Sequence, residues 1–426
     1  MGFRSLLVQR RSARVVSPKR LVILATLLAL AAVGFGPGAG ATAVRHASIP
    51  APKGLPAFYS VPTPLPTTIG KLIKAQKVSA PGLHGSIYRV MYVSESVSNH
   101  PVAVTGVIAV PIGTPPAGGW PVVSWGHGTN GMADVCAPSL SPTSAAPLTN
   151  ALLDHGWVVT ASDYQGEGTP GIMPYLAGIS AARNTVDIVR AARQLPAAHA
   201  GKRYVVWGHS EGGQTAMFSL HIGATYAPGL SLLGVVAGAP PSQFSLIYTF
   251  LKTSPYRYYL LMASGGLNKA YGNTAAPLDQ VLTPLGLKDV ALLDKGCTGY
   301  LVQQLGGVAT SKLVKKDPFT VPAWKKVLTA NDPESFGTAS AAPLLMIQGG
   351  NDEQIPVVST QILAQHLCSI HQEVQRWVYP GQSHAGVIGP SAADMMQWIA
   401  DRFAGGTNPD PYVPTGQPDV QVTGCS

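Results

Sequence analysis

The stretch Tyr204-Val205-Val206-Trp207-Gly208-His209-Ser210-Glu211-Gly212-Gly213 decides how this chain is read. Four apolar residues read as a short strand buried on both faces. Gly-x-Ser-x-Gly follows at once, and then a helical stretch that ends near Pro228. A sharp strand-to-helix turn lifts a serine hydroxyl off the edge of a sheet, and its glycines let backbone approach closely. The start of the following helix sets backbone N–H groups beside the reacting atom. The five-residue pattern alone is weak; its place between strand and helix gives it weight. The competing reading is a structural turn that contains a serine.

A serine hydroxyl is a poor nucleophile at neutral pH. It needs a base, and the base needs an orienting acid. In an architecture of this kind the acid and then the histidine follow the serine along the chain. Gly349-Gly350-Asn351-Asp352-Glu353-Gln354-Ile355-Pro356 follows the apolar run 344–347 and supplies Asp352, with Glu353 as its neighbouring rival. Gly381-Gln382-Ser383-His384-Ala385 follows the run 376–379 and supplies His384. His366 and His371 fall in or just after an expected helix, which argues against them. A tetrahedral intermediate needs N–H donors. The N–H of Glu211, the residue after the nucleophile, is one. Trp125-Gly126-His127-Gly128-Thr129-Asn130-Gly131 follows the run 121–124 and supplies the second, Thr129 first and Gly128 next. His127 is expected to order this loop rather than to move protons.

The rest of the chain repeats the same rhythm. Residues 86–92 and 103–110 alternate apolar and polar, as an antiparallel pair does. Short apolar runs then occur at 121–125, 157–161, 204–207, 232–236, 344–347 and 376–379, with helical patterns between them. In 175–195, Ile179, Ala182, Val186 and Val189 share a face, with Arg183 and Asp187 expected to pair on the other. Ser391 and Asp394 resemble a capping box that opens a helix with Met396, Ile399 and Phe403 inward. Alternation of strand and helix implies an α/β fold, a mostly parallel sheet flanked by helices. Residues 242–340 break the rhythm: punctuated by Pro and Gly, with an aromatic early part, and too long for a loop in a compact domain. They read as an inserted helical cap. This divides the chain into 1–41, 42–241, 242–340, 341–405 and a coil tail 406–426.

The N-terminus reads as an export signal. Arg4, Arg10, Arg11, Arg14, Lys19 and Arg20 precede an apolar run from 21 to about 36, then small residues at 39–41 and 41–43, either triplet a cleavage site. The run is short for a bilayer span, and no later segment is long and apolar enough for one. Net charge is +9 over the chain; these six basic residues leave +3 on the body, which gives no nucleic-acid surface. Cys136, Cys297, Cys368 and Cys425 make an even count in an exported chain, so disulfides are expected, with three connectivities open. No spacing supports a zinc site. Gly166, Gly168 and Gly171 form a literal Gly-x-Gly-x-x-Gly, but Pro170 and Pro174 spoil the helix start that a dinucleotide site needs.

Taken together, these turns resemble the α/β-hydrolase superfamily and, more narrowly, its secretory lipase family of fungal and actinobacterial enzymes. The likeness rests on Gly-His-Ser-Glu-Gly-Gly at 208–213, Ser-Asp-Tyr-x-Gly-x-Gly-Thr-Pro at 162–170, Gly-His-Gly-Thr at 126–129, and the turns at 351–356 and 383–385. The acid turn at 349–356 resembles that of α/β-hydrolases and favours Asp352 over Glu353. The resemblance implies a secreted carboxylester hydrolase with a helical cap, and the pairings Cys136–Cys297 and Cys368–Cys425. The expectation is a Ser210–Asp352–His384 triad that cleaves acyl esters, acylglycerols foremost, without a cofactor or metal, on an ester or lipid substrate at a lipid–water interface. An acyltransferase or peptidase with the same triad is the rival, and an inactive hydrolase-fold binding protein is the other. Oligomeric state is left open.

Overall fold

The computed structural model describes residues 47–144, 146–405, 414 and 419–425. The expected export signal and both cleavage triplets lie outside the described residues, as does most of 406–418.

Among the described residues, ten strands form one sheet: β1 (Leu72–Val78), β2 (Gly85–Glu95), β3 (Pro101–Pro111), β4 (Trp120–Gly126), β5 (Val158–Ser162), β6 (Ala200–His209), β7 (Ser231–Gly238), β8 (Leu344–Gly349), β9 (Val374–Tyr379) and β10 (Gln421–Cys425). Their order across the sheet is β10-β9-β8-β7-β6-β4-β5-β3-β2-β1. From β5 through β4, β6, β7 and β8 to β9 the neighbours run parallel. The pairs β1–β2, β2–β3, β3–β5 and β9–β10 are antiparallel. The central runs are predominantly apolar because both faces are covered, with Ser124 and Thr160 buried and hydrogen-bonded to each other. Alternate residues divide between two cores. Val122, Val206, Val235 and Met346 pack with α2 (Gly178–Ala192), α3 (Glu211–Tyr226) and α8 (Val357–Ser369). Val123, Trp207, Val236 and Ile347 pack with α1 (Ala146–Asp154) and α9 (Ile388–Ala404). The fold is that of an α/β-hydrolase.

Between β7 and β8 the chain is helical among the described residues, including α4 (Phe244–Leu251), α5 (Tyr258–Ala275), α6 (Thr298–Leu305) and α7 (Pro322–Ala330). This insert has an apolar core of its own, centred on Leu261, Met262, Leu301 and Trp324, which also takes in Tyr164, Met173 and Tyr175 from the β5–α2 loop. Cys136 is bonded to Cys297, tying the segment after β4 to the start of α6. Cys368 is bonded to Cys425, tying α8 to β10.

Three local expectations are corrected. Arg183 does not pair with Asp187. Arg183 lies 3.2 Å from Glu95, whereas Asp187 is buried and bonded by Ser94 Oγ at 2.7 Å, Tyr226 OH at 2.8 Å and Arg190. Helical periodicity placed Asp187 on an outer face that β2 and Tyr226 in fact cover. Ser391 does not open α9, which starts at Ile388; Met396, Ile399 and Phe403 are nevertheless buried. The tail is not all coil, because Gln421–Cys425 adds an edge strand antiparallel to β9. Its signal is weak, since a five-residue, largely exposed edge needs little apolar alternation.

Candidate active site

β6 ends at His209 and α3 begins at Glu211, so Ser210 alone makes the turn, with φ 61° and ψ −124°. A non-glycine residue in this region is uncommon, and such strain concentrates at functional positions. The Ser210 N–H donates to Gly238 O at 2.9 Å, which fixes the turn to β7. The glycines on either side are sterically required. A side chain on Gly208 would run into Gly212 O. One on Gly212 would lie 2.7 Å from Gly126 C and 2.8 Å from His127 O, and closer still to Gly126 O. The turn is therefore pressed against the end of β4.

The acid and base come from the turns after β8 and β9. Asp352 Oδ1 accepts from the N–H groups of Gln354 and Ile355 at 2.9 and 2.8 Å. Its Oδ2 accepts from Gln348 Nε2 at 2.7 Å and is bonded to His384 Nδ1 at 2.8 Å. Both residues are almost fully buried. The His384 ring packs on the ring of His209, the residue before Ser210, with centroids 4.6 Å apart. Burial and the neighbouring His384 pull His209 down to about 3, so His209 is a neutral wall for the imidazole. His384 Nε2 is buried and has no hydrogen-bond partner among the described residues, so the Ser210 hydroxyl is not engaged with it in this conformation. Glu353, the rival acid, holds the His384 backbone N–H at 3.0 Å and accepts from Tyr256 OH at 3.3 Å.

The loop after β4 closes the other side. A side chain on Gly128 would lie 3.3 Å from His209 O and 3.7 Å from Ser210 Cβ, so this loop stands directly beside the nucleophile turn. Thr129 Oγ1 lies 3.1 Å from Tyr175 OH and stands beside the Glu211 carboxyl. His127 orders the loop: its Nδ1 is 2.7 Å from Gly128 O, its ring stacks on Tyr164, and its Nε2 is 3.4 Å from Glu167. Burial opposes a charge on His127, but Glu167 and Glu211 outweigh it and push the imidazole up. Burial pushes Glu167 up as well, with His127 working against it.

Ser210 opens onto a cavity with an empty volume of about 880 Å³, part of it open to solvent. Its lining is apolar and drawn largely from the insert: Phe244, Ile247, Leu260, Leu267, Trp324 and Leu328, with Tyr175 and Ile355 at the sheet end. Among the described residues, no cluster of three or more His, Cys, Asp or Glu could hold a metal ion, and no helix is long and apolar enough to cross a membrane.

The sequence motifs contained Ser210, Asp352, His384, Gly128, Thr129 and Glu211, and the structure gathers them at one end of β4, β6, β8 and β9. It directly joins Asp352 to His384 and sets Thr129 beside Glu211. Gln348, His209, Glu167 and Tyr175 were not singled out as site residues, and Glu353 was named only as the rival acid. Gln348, His209, Glu353 and Glu167 lie in or beside quoted turns, and no spacing shows which of them meet.

The family model for secretory lipases matches residues 125–410. The secreted triacylglycerol lipase LIP4 of Malassezia globosa is 24% identical over 79% of this chain and 78% of its own length. A Mycobacterium tuberculosis protein named "Probable inactive lipase MT1628" is 23% identical over 78% of this chain and 77% of its own. The closed-state crystal structure of Candida antarctica lipase A superposes with a TM-score of 0.72 at 19% identity, covering 85% of this chain and 90% of that one, a likeness of fold. The chain belongs to the secretory lipase family, and the protein is a secreted carboxylic ester hydrolase.

Proposed function

We propose that the protein cleaves acyl esters, acylglycerols among them, through a Ser210–His384–Asp352 triad and a covalent acyl-enzyme. Ser210 Oγ attacks the ester carbonyl carbon while His384 Nε2 takes the hydroxyl proton. Asp352, bonded to Nδ1, fixes the tautomer that leaves Nε2 free and stabilises the imidazolium that forms. The carbonyl oxygen becomes an oxyanion and receives the backbone N–H groups of Glu211 and Thr129, with Gly128 beside them; one such donor is worth about 10²–10³ in rate. The intermediate collapses, and the leaving alcohol departs with the proton from His384. Water then attacks the acyl carbon by the same steps in reverse order, releasing the acid and restoring Ser210. The apolar cavity takes the acyl chain, and burial of its methylenes contributes about 0.8 kcal/mol each.

One observation carries this reading: a buried Asp–His pair packs against the strained turn that presents Ser210 to an apolar cavity. The test is hydrolysis of p-nitrophenyl esters of increasing chain length by the native protein and Ser210→Ala. Loss of turnover in the variant, with fold retained, is expected; native rates in Ser210→Ala refute the mechanism. Adding competing alcohols separates hydrolysis from acyl transfer in the products. A native protein without turnover would mark the chain as an inactive member.

A further inference from the structure

Glu211 puts a carboxyl group beside a developing oxyanion. Its backbone N–H is the donor assigned above, so the inference rests on that reading of the site. The side chain lies in the first turn of α3 and is 2% exposed. One carboxyl oxygen, Oε2, has no hydrogen-bond partner among the described residues. The carboxyl faces Thr129, whose Oγ1 lies 3.1 Å from Tyr175 OH.

Among the described residues, the groups that face Glu211 include one cation, His127, which already has a carboxyl neighbour. His127 faces Glu211 from the loop after β4. Glu167, Tyr164 and Tyr175 face it from the β5–α2 loop, and Tyr259 from the insert. Asp163 and Asp134 stand behind Glu167. His127 is the cation of this group, and Glu167 already sits 3.4 Å from it. Asp163 also feels His127, and it accepts from Ser139 N at 2.8 Å, from Thr105 Oγ1 at 2.7 Å and from Ser139 Oγ, the surroundings of an ionised carboxylate. A further negative charge on Glu211 would be unmatched, on an oxygen with no donor, away from water, and both conditions oppose ionisation. The start of a helix favours an anion only where its N–H groups reach it, and none reaches Oε2.

We propose that Glu211 carries a proton in the working enzyme and that the neutral carboxyl positions Thr129 in the oxyanion loop. The neutral acid donates to Thr129 Oγ1, and the Thr129 hydroxyl donates onward to Tyr175 OH. When Glu211 ionises, Thr129 must donate to the carboxylate and Tyr175 to Thr129, so both hydrogen bonds reverse. The same ionisation sets a negative charge on the residue whose N–H receives the oxyanion. Transition-state stabilisation is lost while the apolar cavity still binds the acyl chain, so kcat falls and KM changes little. Burial, opposed by His127 and assisted by Glu167, pushes the Glu211 carboxyl up to about 8, which puts this loss on the alkaline side of neutrality.

The experiment is kcat and KM on p-nitrophenyl butyrate between pH 6 and 9.5 for the native protein and Glu211→Gln. Glutamine keeps the shape and the donor but cannot ionise. The native kcat is expected to fall about tenfold or more across this range with KM within about twofold, while kcat of Glu211→Gln varies less than about threefold. An alkaline fall of the same size in Glu211→Gln overturns the proposal. So does a native profile with no fall, or a folded Glu211→Gln protein that is inactive at every pH. Infrared spectra of Ser210→Ala, with Ser210→Ala/Glu211→Gln subtracted so that the buried Glu167 carboxyl cancels, supply a measurement that needs no turnover. A protonated-carboxyl band present in this difference at pH 7 should bleach by pH 9.5, and its absence at pH 7 overturns the proposal. Failure of the triad reading looks different: Ser210→Ala would itself turn over at the native rate.

Discussion

Gly212→Ala tests whether the nucleophile turn is held where catalysis needs it. The added methyl carbon would lie 2.7 Å from Gly126 C and 2.8 Å from His127 O, and nearer still to Gly126 O, whereas side-chain carbons do not approach other heavy atoms within 3.0 Å. These are backbone atoms at the end of β4, so no rotamer change relieves the clash. The α3 start and the β4 end must separate by about 1 Å, and a misplacement of that size costs about 10²-fold in rate. That corresponds to roughly 2.7 kcal/mol of transition-state stabilisation. One backbone is the buried start of α3 and the other the end of a parallel strand, so overpacking should also lower stability by about 1–3 kcal/mol. Steady-state kinetics on p-nitrophenyl butyrate, with urea unfolding on the same preparations, separates the two effects. A kcat/KM within threefold of native at unchanged stability would refute the claim that the two motif glycines set the position of Ser210.

Other outcomes follow from the same geometry. Asp352→Asn keeps the shape of the turn but presents an amide to His384 Nδ1 in place of the 2.8 Å carboxylate contact; kcat should drop by about 10⁴, and a loss under tenfold would remove Asp352 from the mechanism. Replacing Cys368 and Cys425 by Ala opens a loop of 57 residues and should cost about 2–4 kcal/mol in urea unfolding. Amide exchange should speed up first in β10, and unchanged protection there would contradict the tether. Stability should fall as pH rises from 6.5 to 9. In that window folded His127, raised to about 9, and folded Glu211, raised to about 8, hold protons that the unfolded chain has released. Thermal unfolding across this range checks the sign, and a midpoint that climbs with pH would contradict it.

The parallel half of the sheet was legible because its strands are short apolar runs bounded by Gly, Pro and Asp, such as Val122–Val123 in β4 and Val205–Val206 in β6. Burial on both faces writes itself into composition. The edges were not legible. β1 carries Lys74 and Lys77 and a bulge, and β10 is held by its pairing with β9 and by Cys368, both far away in the chain. Asp187 shows the same limit on a helix: periodicity marks a polar face but not that Tyr226 and Ser94 will cover it. The site motifs could be read because each reacting group needs a turn after a strand. The approach of Glu211 to Thr129, and of His127 to Glu167, could not, since it depends on where three loops meet rather than on any spacing.

The most direct measurement is mass-spectrometric mapping of the native protein after reaction with a fluorophosphonate ester. One adduct per chain, on the peptide that holds Ser210 and absent from Ser210→Ala, is the expected result, with loss of esterase turnover in step with labelling. Labelling of another residue, or full labelling with turnover intact, would contradict the account.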